Sequence, residues 1–479
     1  MTVREELWST TTLRNGTNPR LLVPVARGGG VPLARQVETR LRELDPGTAL
    51  PPTRRLAQDL GVSRGVVVRA YAQLRHEGLL EARVGAGSRR VGSAAVTGAP
   101  RGARSVTPDR PARPRWRLDL HPEVTDLAAF PRRAWLRAYG EAVHGLPDHA
   151  LGYEEPTGQG ELRAQLAAYL TRARGVRCEA GQVVVCGGLL SAFAIVRRAL
   201  ADAGIRRLHR PRVSHRALAG AARDGTPGPA AGWLDIDAGG VVVDGLPRGP
   251  HQAVLVEPAD AYPLGVPLAP ERALALADWA RRADAVVVES DANAELHHDG
   301  AGAPAFQRGL PEHTVLIGSM SRALAPGLRV GWIVAPPRLV DAVEAARRAT
   351  EPAQPVLEQL ALARLVACGD LDRHLHRLRD TYRARARRLT ALLSEDLPEW
   401  RVHAPAGGFH LLVGLPAGGP QEGAVVAAVA RERVRVVGLA GHVLHGPPLA
   451  PALILGYGAL PEAAMPRAVR ALGRATAAC

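Results

Sequence analysis

Apolar positions recur at helical spacing in two neighbouring segments near the N-terminus. The segment PPTRRLAQDLG predicts a short helix with Thr53 as its N-cap and Gly61 at its end. One residue later, Ser63 is the predicted N-cap of a second helix, SRGVVVRAYAQLRHEG. Two short helices joined by a tight turn that contains glycine indicate a helix-turn-helix. A helix over 33–44 before them and an arginine-rich hairpin, LLEARVGAGSRRV, after them complete a helical unit with a basic wing.

A helix-turn-helix reads DNA with the N-terminal end of its second helix, and a basic wing suits phosphates or the minor groove. The pattern therefore predicts a DNA-binding surface formed by Arg54, Ser63, Arg64, Gly65, Arg69, Arg83, Gly85, Gly87 and Arg89. A small basic helical domain with a solvated charged face is the alternative interpretation of the same residues.

Beyond residue 116, short β-type runs alternate with helical patterns. Strands are predicted over 182–186, 253–257, 285–289, 315–318 and 330–334, with helices such as 271–282 between them. This alternation predicts an α/β domain with a mostly parallel sheet. Residues 93–115, SAAVTGAPRGARSVTPDRPARPR, have no apolar period, and we expect a flexible linker that spans roughly 25–30 Å as a coil.

The composition excludes several classes of protein. With 479 residues, 46% apolar and 22% charged, the chain is typical of globular proteins with more than one domain. No apolar run is long enough to span a membrane, and the N-terminus has no secretion signal. The four cysteines are widely spaced, so the sequence predicts neither disulfides nor a metal site. We expect a cytoplasmic protein.

The charge points to a polyanionic partner. The formal net charge is +15, and residues 31–116 carry 16 arginines against 7 acidic residues. All 61 basic residues of the chain are arginine, so the chain contains no lysine.

Longer segments carry a resemblance to known families. The run VPLARQVETRLREL, followed by LPPTRRLAQDLGVSRGVVVRAYAQLRHEGLLEARVGAG, resembles the winged-helix domain of GntR-superfamily regulators. The segments LGYEEPTGQGELRAQLAAYLTRARGVRCEAGQVVVCGG, VLIGSMSRALAPGLRVGWIVAPPRLV and GDLDRHLHRLRDTYRARARRLTALL are similar to fold-type I aminotransferases, which use pyridoxal phosphate (PLP). A winged helix, a linker and an aminotransferase-like domain, in that order, resemble the MocR/GabR-type regulators.

The resemblance implies a multidomain architecture. A winged helix-turn-helix (α+β) is expected over 20–92, the linker over 93–115, and an α/β fold-type I PLP-transferase-like domain over 116–475. Its large subdomain is expected to reach about residue 350, and a smaller α+β C-terminal subdomain to cover about 365–475. A head-to-tail homodimer that binds a double-stranded DNA operator at two half-sites is also implied.

The resemblance further implies a degenerate cofactor site. Fold-type I enzymes hold PLP as an imine on a lysine, and the position of that lysine is Arg322 here. A guanidinium stays protonated and offers no free amine, so no covalent cofactor is expected. The carboxylate that pairs with the pyridinium nitrogen aligns with Ser290, or with Asp291 after a slip of one residue, and the stacking tyrosine with Val213.

Other positions of the cofactor site are retained. They are Gly187, Gly188, Ser319, Ser321 and Arg329 at the phosphate end, and Tyr262. Alternatives remain for several of them. The two glycines also suit a plain strand–helix turn, Arg329 also suits a carboxylate of the fold, and Tyr262 also suits the core. Arg322 fits either an ion pair that fills an emptied site or the anionic group of a different ligand.

Three functions are compatible with these features. The favoured one is a DNA-binding transcriptional regulator whose aminotransferase-like domain has lost covalent PLP chemistry and serves for dimerisation, with a small anionic effector as a further partner. The alternative is a regulator that still binds PLP noncovalently. The third, an active aminotransferase, conflicts with the absence of lysine.

Overall fold

The structure is a computed structural model that describes residues 31–83, 87–91, 116–152, 156–220, 228–290, 292–298 and 302–477. The chain divides into two compact units, one up to Pro111 and one from Ala112 onward. Gly85 and Asp291 lie outside the described residues.

The first unit is a three-helix domain with a small antiparallel sheet. Its elements are α1 (Leu33–Arg42), β1 (Ala49–Leu50), α2 (Thr53–Asp59), α3 (Arg64–His76), β2 (Leu80–Arg83) and β3 (Gly87–Arg90). The sheet has the order β1-β3-β2, and its two longer strands form the predicted wing. Leu41, Leu56 and Val67 are completely buried and join the three helices. The winged helix-turn-helix predicted from the sequence is confirmed.

One helix boundary differs from the prediction. The N-cap of α2 is Pro52, with φ −55° and ψ 141°, and Thr53 is the first helical residue. Proline fixes this extended conformation through its ring, so the helix begins without a side-chain cap. Ser63 is the N-cap of α3 as predicted, although its side chain makes no capping hydrogen bond. Gly61 has φ +63°, a left-handed conformation that favours glycine and permits the tight turn.

The second unit is built on a seven-stranded sheet. The strand order is β5-β13-β12-β11-β10-β6-β7, and every neighbouring pair is parallel except the two that contain β13. The elements up to the end of the sheet are β4 (Leu118–Asp119), α4 (Arg132–Gly145), α5 (Gly160–Arg174), β5 (Val183–Cys186), α6 (Leu189–Asp202), β6 (Arg207–Pro211), α7 (Arg216–Gly220), β7 (Ala230–Leu234), β8 (Ile236–Asp237), β9 (Gly240–Val241), β10 (Gln252–Val256), α8 (Pro270–Ala283), β11 (Val286–Ser290), β12 (Thr314–Ser319) and β13 (Gly331–Val334). The predicted mostly parallel α/β sheet is confirmed.

Both faces of this sheet are covered. In β11, Val286 and Val288 pack into one apolar cluster with α6 and the later helix α9 (Val340–Thr350), whereas Val287 packs into another with α8. Side chains alternate between the two faces of a strand, so a strand covered on both sides consists of apolar residues throughout.

The remaining elements begin with two helices that pack against helices of the large sheet, and continue into a smaller C-terminal subdomain with its own sheet, of order β14-β15-β18-β17. They are α9 (Val340–Thr350), α10 (Val356–Ala367), α11 (Asp370–Asp396), β14 (Arg401–His403), β15 (His410–Gly414), α12 (Glu422–Arg431), β16 (Val434–Arg435), β17 (Val437–Gly438), β18 (Ala452–Gly456) and α13 (Met465–Ala477). Within the described ranges, no helix has the length and apolar character needed to cross a membrane.

Candidate functional site

The recognition helix α3 is amphipathic, with one face in the core and one face in solvent. Val66, Val67, Ala70, Tyr71 and Leu74 are buried against the other two helices. The opposite face exposes four predicted DNA-binding residues: Ser63, Arg64, Gly65 and Arg69. A Cβ added at Gly65 would meet only the Ser63 hydroxyl oxygen, at 3.9 Å. The N-terminal end of α3 therefore leaves room for a close approach by a partner.

Four arginines of the predicted surface have no internal partner among the described residues. Arg54, Arg64, Arg69 and Arg89 are exposed, and their side chains form no hydrogen bond or ion pair with another described residue. Arginines of α1 differ, since Arg42 forms an ion pair with Glu77 at 2.6 Å. Unpaired guanidinium groups retain all their donors for phosphates or base edges.

Two neighbouring arginines of the wing, Arg89 and Arg90, differ in their surroundings. Arg89 is exposed, whereas its neighbour Arg90 is half-buried and donates a hydrogen bond to the Arg42 carbonyl oxygen at 3.2 Å. The alternation of side chains along a strand explains the difference. The backbone of Arg83 pairs with that of Gly87 across the hairpin, and Gly87 has φ +79°, so it occupies a conformation that favours glycine.

The second unit contains a cavity of about 330 Å³ at the carboxyl ends of β10, β11 and β12. Ligands of open α/β sheets bind at such an edge. Its lining comprises Glu123, Leu189, Leu190, His215, Leu218, Glu257, Asp260, Tyr262, Ala292, Asn293, Ser319, Ser321, Arg322, Pro326 and Arg329. The structure thus brings together five of the residues predicted for the cofactor site, and Gly188 adjoins them.

One end of this cavity is suited to an anion. Gly188 has φ +100° and precedes α6, and a Cβ there would meet Arg329 Nη1 at 3.5 Å and Ser319 Oγ at 3.7 Å. The hydroxyl of Ser319 donates a hydrogen bond to that of Ser321 at 2.9 Å. The guanidinium of Arg329 has no hydrogen bond or ion pair with any described residue. A helix N-terminus, two hydroxyls and an unpaired guanidinium attract a phosphate or carboxylate.

Gly187 does not face this anion site. Its N–H donates to Glu351 Oε1 at 3.0 Å, and the same carboxylate is hydrogen-bonded to the Ser191 hydroxyl. A carboxylate near the first turn of α6 is stabilised by the helix dipole, so this glycine is held by a group of the fold. Glu351 was not found by sequence reasoning, because it lies 164 residues from Gly187.

Arg322 is held by aromatic rings and an amide. Its guanidinium carbon lies 5.5 Å from the centre of the Tyr262 ring and 5.6 Å from that of Phe409. Its Nη1 donates to Asn293 Oδ1 at 2.6 Å, and Asn293 Nδ2 donates in turn to Asp260 Oδ2 at 2.7 Å. No carboxylate of a described residue lies within ion-pair distance of Arg322. The aromatic rings and the amide stabilise this guanidinium without neutralising its charge.

Tyr262 lies beneath Arg322 with a side chain that is only 3% exposed, and burial raises the pKa of its hydroxyl. Its backbone N–H donates to Glu257 Oε2 at 3.1 Å. The centre of its ring lies 5.0 to 5.4 Å from the ring centres of three histidines, His215, His410 and His442. The tyrosine thus belongs both to the cavity wall and to the packed interior.

A pair that sequence reasoning missed forms another wall of the cavity. His215 Nε2 lies 2.8 Å from Glu123 Oε1, and the hydrogen bond from His215 lowers the pKa of Glu123 to about 2. Val213, which the resemblance led us to expect at the stacking position, is only 2% exposed and does not line the cavity. Ser290 is completely buried, and its Oγ has no hydrogen-bond partner among the described residues.

Comparisons with known proteins agree with this geometry. The family model "Bacterial regulatory proteins, gntR family" matches residues 33–89, and the model "Aminotransferase class I and II" matches residues 243–472. The probable rhizopine catabolism regulatory protein MocR of Rhizobium meliloti is 31% identical over 471 residues, which cover 93% of this chain and 94% of that protein. The pyridoxine biosynthesis regulator PdxR of Corynebacterium glutamicum is 30% identical over 433 residues, which cover 88% of this chain and 89% of PdxR.

Solved structures support the fold of the second unit. The kynurenine aminotransferase of Pyrococcus horikoshii superposes with a TM-score of 0.67 at 21% identity and covers 75% of this chain and 91% of its own. The α-aminoadipate aminotransferase LysN of Thermus thermophilus superposes with a TM-score of 0.66 at 23% identity. The match covers 75% of this chain and 92% of the LysN chain. At such identities the likeness shows the fold alone. Because a relative at 31% identity spans nearly the whole chain and both family models match in order, the chain belongs to the MocR-type helix-turn-helix transcriptional regulators.

Proposed function

We propose that this chain regulates transcription by binding an operator through α3 and the wing. The observation that carries the proposal is the exposed face of α3, where Arg64 and Arg69 form no internal hydrogen bond or ion pair. These side chains stand at the N-terminal half of the recognition helix, the part that enters a major groove. An operator lies on chromosomal DNA, so this function agrees with the cytoplasmic location expected from the sequence.

The test starts from a duplex that the wild-type protein selects from a random-sequence library. Arg64→Ala and Arg69→Ala should each weaken binding to that duplex by about 5- to 150-fold, the loss expected for a bidentate base contact. Arg40→Ala is the matched control, because Arg40 is a helix arginine that already pairs with Glu43. Equal affinities of the Arg64 and Arg69 variants and the wild type in fluorescence anisotropy would contradict the assignment.

The homodimer implied by the family is part of the same proposal. Two copies place two recognition helices on one duplex, so the selected sequence should contain two related half-sites. Light scattering of the complex should give two chains per duplex. A single half-site bound by one chain would exclude the dimeric arrangement.

We further propose that the second unit does not catalyse transamination. The residues present do not fit PLP held as an imine, because Arg322 supplies no nucleophilic amine and the chain has no lysine. A buried Ser290 occupies the aligned position of the carboxylate that pairs with the pyridinium nitrogen. Arg322 therefore replaces the Schiff-base lysine, and the unit is expected to serve for dimerisation and ligand sensing.

The cavity supports a second role, as a noncovalent site for a small phosphate-bearing effector. The unpaired guanidinium of Arg329 beside Gly188 and Ser319 carries this proposal. The guanidinium of Arg322 at the other wall disfavours a cationic group and suits a carbonyl or acidic oxygen of the ligand. PLP and inorganic phosphate are the probes, because they share the phosphate group and differ in the ring.

A further inference from the structure

A shallow basic depression of about 280 Å³ lies on the smaller subdomain of the second unit, away from the cofactor-like cavity. Its charged lining consists of Arg117, Arg467, Arg470, Arg474 and Glu432. Three of these arginines come from α13, where intervals of three and four residues bring side chains to the same face of a helix. Buried residues such as Leu472 and Val469 anchor the opposite face of α13, so the arginines are presented by a rigid element.

The positive charges of this basic depression are poorly compensated. Glu432 forms an ion pair with Arg474. Arg117, Arg467 and Arg470 are exposed, and their side chains form no hydrogen bond or ion pair with a described residue. Like charges at this spacing repel each other, and a polyanion relieves that repulsion.

The position of the basic depression in the chain connects it with DNA. Arg117 follows the linker 93–115 by two residues, so the segment that joins the winged helix to the second unit enters that unit at the depression. The linker itself carries arginines at positions 101, 104, 110, 113 and 115. Because the two units belong to one chain, a duplex bound by the winged helix is present at a raised effective concentration around the second unit.

We propose that Arg117, Arg467 and Arg470 contact the phosphate backbone of the duplex that the winged helix binds. The proposal rests on the proposed DNA-binding function of the first unit. Guanidinium groups without base contacts add affinity and salt dependence but no sequence preference. The second unit then contributes to DNA binding directly, in addition to its role as dimerisation and effector domain.

The experiment measures the salt dependence of binding to the selected duplex for the full chain. Arg467→Ala combined with Arg470→Ala should reduce the slope of log affinity against log salt concentration by about 2, because each lost phosphate contact removes about 1. The sequence preference should stay unchanged. The Arg467→Lys and Arg470→Lys pair keeps the charge and should retain the wild-type slope. Arg206→Ala with Arg207→Ala removes two exposed charges outside the basic depression and should also retain it.

The outcomes separate this proposal from the one on which it rests. An unchanged slope for the Arg467/Arg470 alanine pair, with wild-type binding intact, would overturn the backbone contact and leave the winged-helix assignment standing. An equal loss in the Arg206/Arg207 pair would also overturn it, because the effect would then follow net charge alone. Failure of the wild-type chain to select any duplex would remove both proposals. Equal thermal melting of all variants confirms that the comparison concerns folded protein.

Discussion

The proposed loss of covalent chemistry in the second unit rests on one side chain of the cavity, Arg322. Two aromatic rings and the Asn293 amide hold its guanidinium, and neither the rings nor the amide neutralise it. A lysine in the same position would carry an amine that deprotonates and attacks a carbonyl, whereas a guanidinium stays charged. A guanidinium at this position therefore cannot form an imine with a carbonyl.

Arg322→Ala tests whether this side chain also supports the winged-helix function. Removal of the guanidinium leaves Asn293 Oδ1 without its donor, so we expect a loss of about 1–2 kcal/mol in the free energy of unfolding. DNA affinity without ligand should change less than about twofold, since Arg322 belongs to the second unit. Denaturant titration and anisotropy measure the two effects. A large loss of DNA affinity in a stable variant would contradict the expectation.

Glu123 leads to a prediction about how the stability of the chain depends on pH. Its pKa is about 2 in the folded chain, and the unfolded carboxyl returns to its ordinary value of about 4.5. A depressed folded pKa contributes stability that is complete above the unfolded value and disappears as the pH falls through the folded value. Glu123→Gln should therefore lower the melting temperature at pH 6, and its difference from the wild type should shrink below about pH 4.5. A difference that stays constant down to pH 3 would refute the role of the carboxylate charge.

At the scale of single elements, most of the secondary structure was predictable. The predicted strand over 253–257 is β10 (Gln252–Val256), and the predicted helix over 271–282 is α8 (Pro270–Ala283), because runs of β-branched residues and apolar periodicity are local signals. The cavity was less predictable. Its walls depend on pairs distant in sequence, such as Glu123 with His215 and Gly187 with Glu351, and no local pattern encodes them.

The wing offers a test at the level of one strand. Arg89 and Arg90 are neighbours in β3 but face opposite sides, and only Arg90 donates hydrogen bonds to carbonyl oxygens of its own unit. Arg89→Ala should weaken DNA binding without changing the melting temperature of the winged helix. Arg90→Ala should lower that temperature instead. Anisotropy and calorimetric melting of both variants, measured together, distinguish the two roles, and the reverse pattern would refute the assignment.

At the scale of the whole molecule, the chain combines a winged helix with a large aminotransferase-like unit, and it contains no lysine. The fold of the second unit agrees with aminotransferases at a TM-score of 0.67, yet none of its side chains can form an imine, since the chain contains no lysine. Shared fold does not imply shared chemistry, which depends on the residues of the site. The absence of lysine and the position of Arg329 beside Gly188 are the observations that support the proposed sensor over a catalyst.

A calorimetric titration of the purified chain with PLP tests this central claim most directly. Inorganic phosphate serves as a second ligand, and Arg329→Ala as the matched variant. We expect saturable heat in the wild type, no imine absorbance band, and a loss of affinity of about 10- to 150-fold in Arg329→Ala, the range for a charge-assisted hydrogen bond. No heat in the wild type, or equal heat in the wild type and Arg329→Ala, would contradict the account of the cavity as a noncovalent anion sensor.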